Sequence, residues 1–372
     1  MPDSPRTRDN WAILPNHTVV MSIRSASPAL AAALLFGAST PLAKTLTGSI
    51  SPILLAGLLY FGSGLGLAGV LLARRLIGKS ADTSRPGSAI PRHEIPWLLG
   101  AILAGGVAGP ALLMTGLAHT GAAPASLLLN VEGVFTALIA WIVFKENADR
   151  QIALGMLAIV AGGVLLSWQP DAASLSPSAL LIVAACACWA IDNNLTRNVS
   201  SNDAVLIACL KGLVAGACNT GFALAAGSTL PSARSLISAM LVGFAGYGVS
   251  LALFVIALRH LGTARTGAYF SVAPLFGVVI SFLIWPEIPN LVFWVAAALM
   301  ALGVWLHLHE RHEHKHVHEP MEHTHAHRHD EHHQHEHDFP WNGKEPHVHI
   351  HRHEALVHKH PHYPDIHHRH TH

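Results

Sequence analysis

The chain has 372 residues, 51% of them hydrophobic and only 12% charged, about half the charged share of an average soluble domain. Residues 311–372 hold 17 of the 45 Asp, Glu, Lys and Arg residues and 23 of the 29 His, so the text from 28 to 306 is a long apolar body that no soluble helical protein could hide. A net charge of +1 and the lack of a basic aromatic stretch give no support to nucleic-acid binding.

In chain order, a polar segment over 1–27 precedes the first apolar run. No small-residue cleavage pattern follows that run, so it reads as a retained helix rather than a signal peptide. A helix needs about 17–25 residues to cross a hydrocarbon core of about 30 Å. Ten runs qualify: 28–46, 53–73, 97–117, 122–144, 152–168, 179–195, 204–226, 236–258, 266–285 and 291–306. The second, third, fifth, eighth, ninth and tenth hold no Asp, Glu, Lys or Arg. The expected fold class is an all-α polytopic membrane protein with ten transmembrane helices. Cys186, Cys188, Cys209 and Cys218 all fall in the sixth and seventh runs and read as small membrane-core residues, with no disulfide framework.

Lys and Arg in short loops mark the cytoplasmic side. Arg74, Arg75, Lys79, Arg85 and Arg92 lie between runs two and three, and Lys145 and Arg150 between four and five. Arg197 follows run six, and Arg259 and Arg265 lie between eight and nine, while the odd loops carry only Arg234. Both termini are therefore expected in the cytoplasm.

An internal repeat is visible at an offset of 141. Ala104 falls on Ala245, Gly105 on Gly246, His119 on His260, Phe135 on Phe276, Glu146 on Glu287 and Gly162 on Gly303. "FGASTPLAKTL" from Phe36 also resembles "WAIDNNLTRNV" from Trp189. Five helices followed by five related helices make the second unit enter from the opposite face, the inverted arrangement many secondary transporters use. Gly62/Gly66, Gly105/Gly109 and Gly212/Gly216 have the small-residue spacing that lets membrane helices approach closely; the spacing is also common by chance in a Gly-rich chain.

The ends of the first unit, "FGASTPLAKTL" at Phe36–Leu46 and "NVEGVFTALIAWIVFKE" at Asn130–Glu146, resemble those of an EamA domain of the drug/metabolite transporter superfamily. "SVAPLFGVVISFLIWPE" at Ser271–Glu287 repeats the second end. The resemblance covers 29–307 as two EamA units. It implies a ten-helix inverted-repeat carrier of metabolites or drug-like solutes, in a bacterial inner membrane and without enzymatic activity. The domain reading is 1–27 polar, 28–168 first EamA repeat, 169–310 second EamA repeat and 311–372 a disordered tail. Gly133 stands where the family commonly has proline. Pro274 is present in the second copy, but Ala273 replaces the glutamate.

Glu132 is thus a carboxylate deep inside an apolar run. Such groups face the bundle interior or a wet cavity and are candidate functional residues; holding neighbouring helix ends together is the competing reading. Asn130 lies beside it. Asp192, Asn193 and Asn194 form a polar patch that lines a cavity or pairs with Lys44 or Lys211. Trp189 and Tyr269 are candidate substrate contacts, with packing the alternative. Lys44 and Arg197 are rough repeat mates that snorkelling also explains. His119 and His260 read as interfacial, and Glu146 and Glu287 as loop residues.

From His307 onward the text alternates His with charged residues and holds 25 His. With few large apolar residues it is expected to be disordered. Imidazole is the commonest ligand for borderline divalent ions, and His at i and i+2 closes on one ion with little strain. The candidate ligands are His312, His314, His316, His318, His323, His325, His327, His329, His332, His333, His335, His337, His347, His349, His351 and His353. Absence of Cys favours Zn²⁺, Ni²⁺, Co²⁺ or Cu²⁺ over Cu(I). No cofactor is required for transport, and no GxxxxGK[ST] loop for ATP is present. Expected partners are the lipid bilayer, a small-molecule substrate and divalent metal ions, with a homodimer left open. Two alternatives stand beside the solute carrier: a divalent metal or metal-chelate transporter, and a membrane-anchored metal buffer or sensor.

Overall fold

The computed structural model describes residues 23–76, 90–144, 150–169, 174–199, 202–261, 266, 269–286, 288–308, 313–318, 321–327, 347–353 and 356–361. The chain divides into two units, Met1–Leu308 and His309–His372.

The first unit is built from helices labelled in chain order: α1 Ile23–Lys44, α2 Pro52–Leu76, α3 Arg92–Ala118, α4 Ala122–Val143, α5 Arg150–Ser167, α6 Pro177–Arg197, α7 Ala204–Ala225, α8 Ala233–Ala257, α9 Ala273–Ile284 and α10 Leu291–Leu308. A two-residue antiparallel pairing of β1 (Trp168–Gln169) with β2 (Ser174–Leu175) links α5 to α6. Among the described residues six helices, α2, α3, α4, α6, α7 and α8, are long and apolar enough to cross a membrane. Ala153–Ser167, Ala273–Ile284 and Leu291–Leu306 are shorter apolar helices. The outside of the bundle is apolar, with Ile142, Leu157, Phe222, Leu241 and Leu283 exposed, as a lipid-facing surface demands.

The packing pairs of this unit map onto themselves when its halves are exchanged. α2 packs extensively on α7, and α5 on α10. α1 packs on α8 and α9, as α6 packs on α3 and α4. The α2–α7 crossing is close because glycines face backbone: a Cβ on Gly64 would lie 2.5 Å from the Leu213 amide nitrogen, and one on Gly216 2.6 Å from that of Phe61. Gly62 and Gly66 face Met240 and Phe244 of α8 instead.

Two irregularities recur at the repeat offset. α3 contains a π stretch at Ile102–Ala108, and α8 contains one at Phe244–Val249. Insertions of this kind re-aim side chains and often accompany functional sites. The run 122–144, expected as one helix, is interrupted at Leu129 and Asn130; the run 266–285 is interrupted at Ser271 and Val272. At the first interruption the backbone tightens to three-residue hydrogen bonds, from Asn130 to Leu127 at 3.0 Å and from Glu132 to Leu129 at 3.1 Å. The Asn130 amide then donates to the Leu127 carbonyl at 2.9 Å. At the second, Pro274 near the new N-terminus lacks an amide hydrogen that would go unused there.

In the second unit, β3 (Glu313–His318) pairs antiparallel with β6 (Leu356–Pro361), and β4 (Met321–His327) with β5 (His347–His353). Their period-two alternation of His with Val, Thr, Ile or Lys is a strand pattern despite the low apolar content. His312, His329, His332, His333, His335 and His337 lie outside the described residues.

Candidate functional site

On α6, residues 189, 192, 193 and 196 follow helical spacing and share one face. Trp189, Asp192 and Asn193 of this face border one cavity. Glu132 of α4, Lys211 of α7, Tyr60 of α2 and Phe36 of α1 complete its near side. α8 supplies Tyr247, Ser250, Leu251 and Phe254, again at helical spacing, and Phe270 lies just before α9. Both halves of the first unit therefore build one chamber.

Its electrostatics begin with a buried ion pair. Lys211 Nζ lies 2.5 Å from Asp192 Oδ1 and 2.7 Å from Oδ2, and also donates to Thr196 Oγ1 at 3.2 Å. Thr196 in turn donates to Asp192 Oδ1 at 2.8 Å. Both charged side chains are more than 90% hidden, at 3% and 9% exposure. Desolvating two ions is costly, and only dense charge-assisted hydrogen bonding of this kind offsets it. Space for Asp192 comes from Gly105, where any Cβ would overlap the Asp192 carboxylate. A Cβ on Gly109 would lie 3.1 Å from Trp189 Nε1. The Gly105/Gly109 spacing thus accommodates the site's own side chains as well as the α3–α6 contact.

Glu132 sits in the first turn of the helical stretch after the α4 break. Asn193 Nδ2 donates to its Oε1 at 2.7 Å. Gly105, in the π stretch of α3, offers a carbonyl that accepts from Tyr60 Oη at 2.8 Å and Trp189 Nε1 at 3.0 Å. Aromatic rings run continuously around the chamber. Phe36 meets Trp189 edge-on at 5.7 Å, Tyr247 at 5.9 Å and Phe270 at 5.4 Å, and Phe254 meets Phe270 at 4.8 Å.

Of the residues expected from sequence, Glu132, Asp192, Asn193 and Trp189 come together here. Four do not line the chamber. Lys44 donates to the carbonyls of Leu117 and Ala118 at 2.6 and 3.1 Å, capping the end of α3 rather than reaching Asp192. Asn130 secures the α4 break and lies 4.0 Å from Met300 sulfur. Asn194 donates to the Ala190 carbonyl of its own helix at 2.8 Å. Tyr269 is half-buried, and its neighbour Phe270 takes the lining position, since consecutive helical residues point about 100° apart. Of the two cations weighed for Asp192, Lys211 is the partner. Sequence reading missed Tyr60, Tyr247, Phe254 and Phe270 in the lining. The 247/250/251/254 spacing, and Phe36 as the repeat mate of Trp189, were the available signals. Among the described residues no three His, Cys, Asp or Glu side chains form a metal-binding group.

The EamA-like transporter family model matches residues 25–168 and again 176–308. The chain belongs to the EamA-like transporter family. As in the sequence resemblance, two EamA units account for the helical body, and a multi-pass membrane transporter of a small solute is the role this membership supports. An uncharacterized transporter of Methanothermobacter thermautotrophicus is 28% identical over 287 residues, covering 74% of this chain and 84% of that protein. The uncharacterized transporter YyaM of Bacillus subtilis is 26% identical over 284 residues, covering 72% and 88%. A crystal structure of another protein aligns with 77% of this chain and 97% of its own, with a TM-score of 0.56 at 18% identity, a likeness of fold.

Proposed function

We propose that this EamA protein is a secondary carrier that moves a small solute through the chamber by alternating access of two inverted five-helix units. In this reading ten helices span a bacterial plasma membrane, both termini are cytoplasmic, and an ion gradient or the solute's own gradient supplies the drive. The observation that carries the reading is the chamber itself: Glu132 and the Asp192–Lys211 pair are gathered by both halves in an otherwise apolar bundle. Charged groups in such surroundings mark transport pathways. The matching breaks in the runs 122–144 and 266–285 add support, because discontinuous helices commonly frame carrier sites. Reconstituted protein is expected to give saturable solute flux that Glu132→Gln lowers while accumulation in the membrane stays near normal. Flux indistinguishable from empty liposomes across metabolites and drug-like amines would remove the carrier reading. In a cysteine-free background, single cysteines at Lys79 and Ser228 are expected to label from opposite sides; labelling from one side would remove the inverted topology.

The tail adds a second role, binding of Zn²⁺, Ni²⁺, Co²⁺ or Cu²⁺. The observation favouring it is the strand register, which sets His323 opposite His351, His325 opposite His349 and His327 opposite His347. Alternate positions share one face of a strand, so this ladder gathers imidazole-bearing residues on one side. Transport of the metal itself is the rival reading, separated by comparing metal and solute flux with and without the tail.

A further inference from the structure

The chamber's donors are almost all consumed. Lys211 has three N–H groups, and its hydrogen bonds go to the two Asp192 oxygens and Thr196. Tyr60 and Trp189 both direct their hydrogens at Gly105 oxygen. Ser250 donates to the Ala32 carbonyl at 2.9 Å. One Asn193 N–H is spent on Glu132. What remains on the donor side is the other Asn193 N–H and the buried Tyr247 hydroxyl, which makes no hydrogen bond of ordinary geometry and can accept as readily as donate.

The acceptor side is different. An ionised carboxylate offers about four lone-pair sites, and among the described residues Glu132 receives one side-chain donor. Lys211 neutralises Asp192, so the ionised chamber keeps a single formal negative charge at Glu132. A solute carboxylate would find no cation in the chamber's described lining apart from the paired Lys211, which disfavours anions and zwitterions. A bare dication would find no cluster of three ligands. The rings of Phe36, Trp189, Tyr247, Phe254 and Phe270 offer faces and apolar area in the same chamber, and aromatic faces attract cations.

We infer that the chamber selects an organic monocation, a protonated amine on an apolar or aromatic body, with Glu132 as its counter-charge. This rests on the carrier reading and names the substrate class of that same site.

The test uses three probes with one phenyl ring and different charge: 2-phenylethylamine, phenylalanine and phenylacetate. Equilibrium binding to the full-length protein in nanodiscs is followed by flux in proteoliposomes. The amine is expected to bind at least tenfold tighter than the other two. Glu132→Gln is expected to lose at least tenfold of that affinity, and Glu132→Asp to retain most of it, with thermal unfolding confirming that both variants fold. Phenylalanine or phenylacetate binding as tightly as the amine overturns the inference, as does failure of all three to bind or an unchanged affinity in Glu132→Gln. The probe series on the unaltered protein decides the matter even where a variant does not accumulate. Flux separates the two claims: an amine bound but never moved removes the carrier reading and leaves the cation site, whereas preferential flux of phenylalanine does the reverse.

Discussion

Replacing Lys211 by Met tests whether the ion pair is a structural unit of the chamber. The substitution keeps length and apolar stem but removes the charge facing Asp192, whose side chain is only 9% exposed. Breaking a buried pair from one side costs about 3–5 kcal/mol, because the remaining charge is left uncompensated. Asp192 would keep the Thr196 hydroxyl at 2.8 Å, a hydrogen bond worth about 1 kcal/mol, so the expected loss lies near the lower bound, about 3 kcal/mol. Asp192→Asn should cost a similar amount, since Lys211 at 3% exposure then faces a neutral amide. The double variant Asp192→Asn with Lys211→Met should be markedly less destabilised than the two singles added together, with a coupling of about 2 kcal/mol or more, as expected for residues in direct contact. Reversible unfolding in mixed micelles, followed by tryptophan fluorescence, measures all four corners of this cycle. Singles that cost less than about 1 kcal/mol, or a double that equals their sum, would refute the account of a desolvated pair held by mutual compensation.

Gly105→Ala should destabilise the fold by about 1–3 kcal/mol through overpacking against Asp192, whereas Gly133→Ala, where a new Cβ meets nothing within 4 Å, should be close to neutral; thermal unfolding of the two side by side checks the contrast. Lys44→Met should cost about 1–3 kcal/mol by freeing the Leu117 and Ala118 carbonyls at the end of α3, and flux assays should find solute preference unchanged because the side chain does not border the chamber. Removing 311–372 should leave a folded helical unit and abolish most Zn²⁺ and Ni²⁺ binding measured by calorimetry. In the intact chain that binding should weaken as pH falls through about 6.5, because neutral imidazole is the ligand form and protonation removes it; affinity retained after truncation would place the metal site elsewhere.

Apolar length, the offset of 141 and the lone carboxylate at Glu132 were legible in the sequence because each is a property of consecutive residues. Run length is set by the hydrocarbon thickness it must cross, and duplication leaves its register in the chain. The period-two alternation of His in the tail was equally plain in the chain. Which cation joins Asp192 was a different kind of question. Lys44 and Lys211 were equivalent as text, and only the packing of α7 against α2 and the π stretch of α3 brings Lys211 to the carboxylate while Lys44 is spent on the end of α3. The aromatic lining was equally illegible, because Phe36, Tyr60, Tyr247 and Phe270 lie far apart in sequence and meet only through the crossings of α1, α2 and α8. Charge and hydropathy along the chain fix where helices form; the glycine-mediated approaches between helices fix which side chains meet, and the acceptor-rich chamber exists only at that second level.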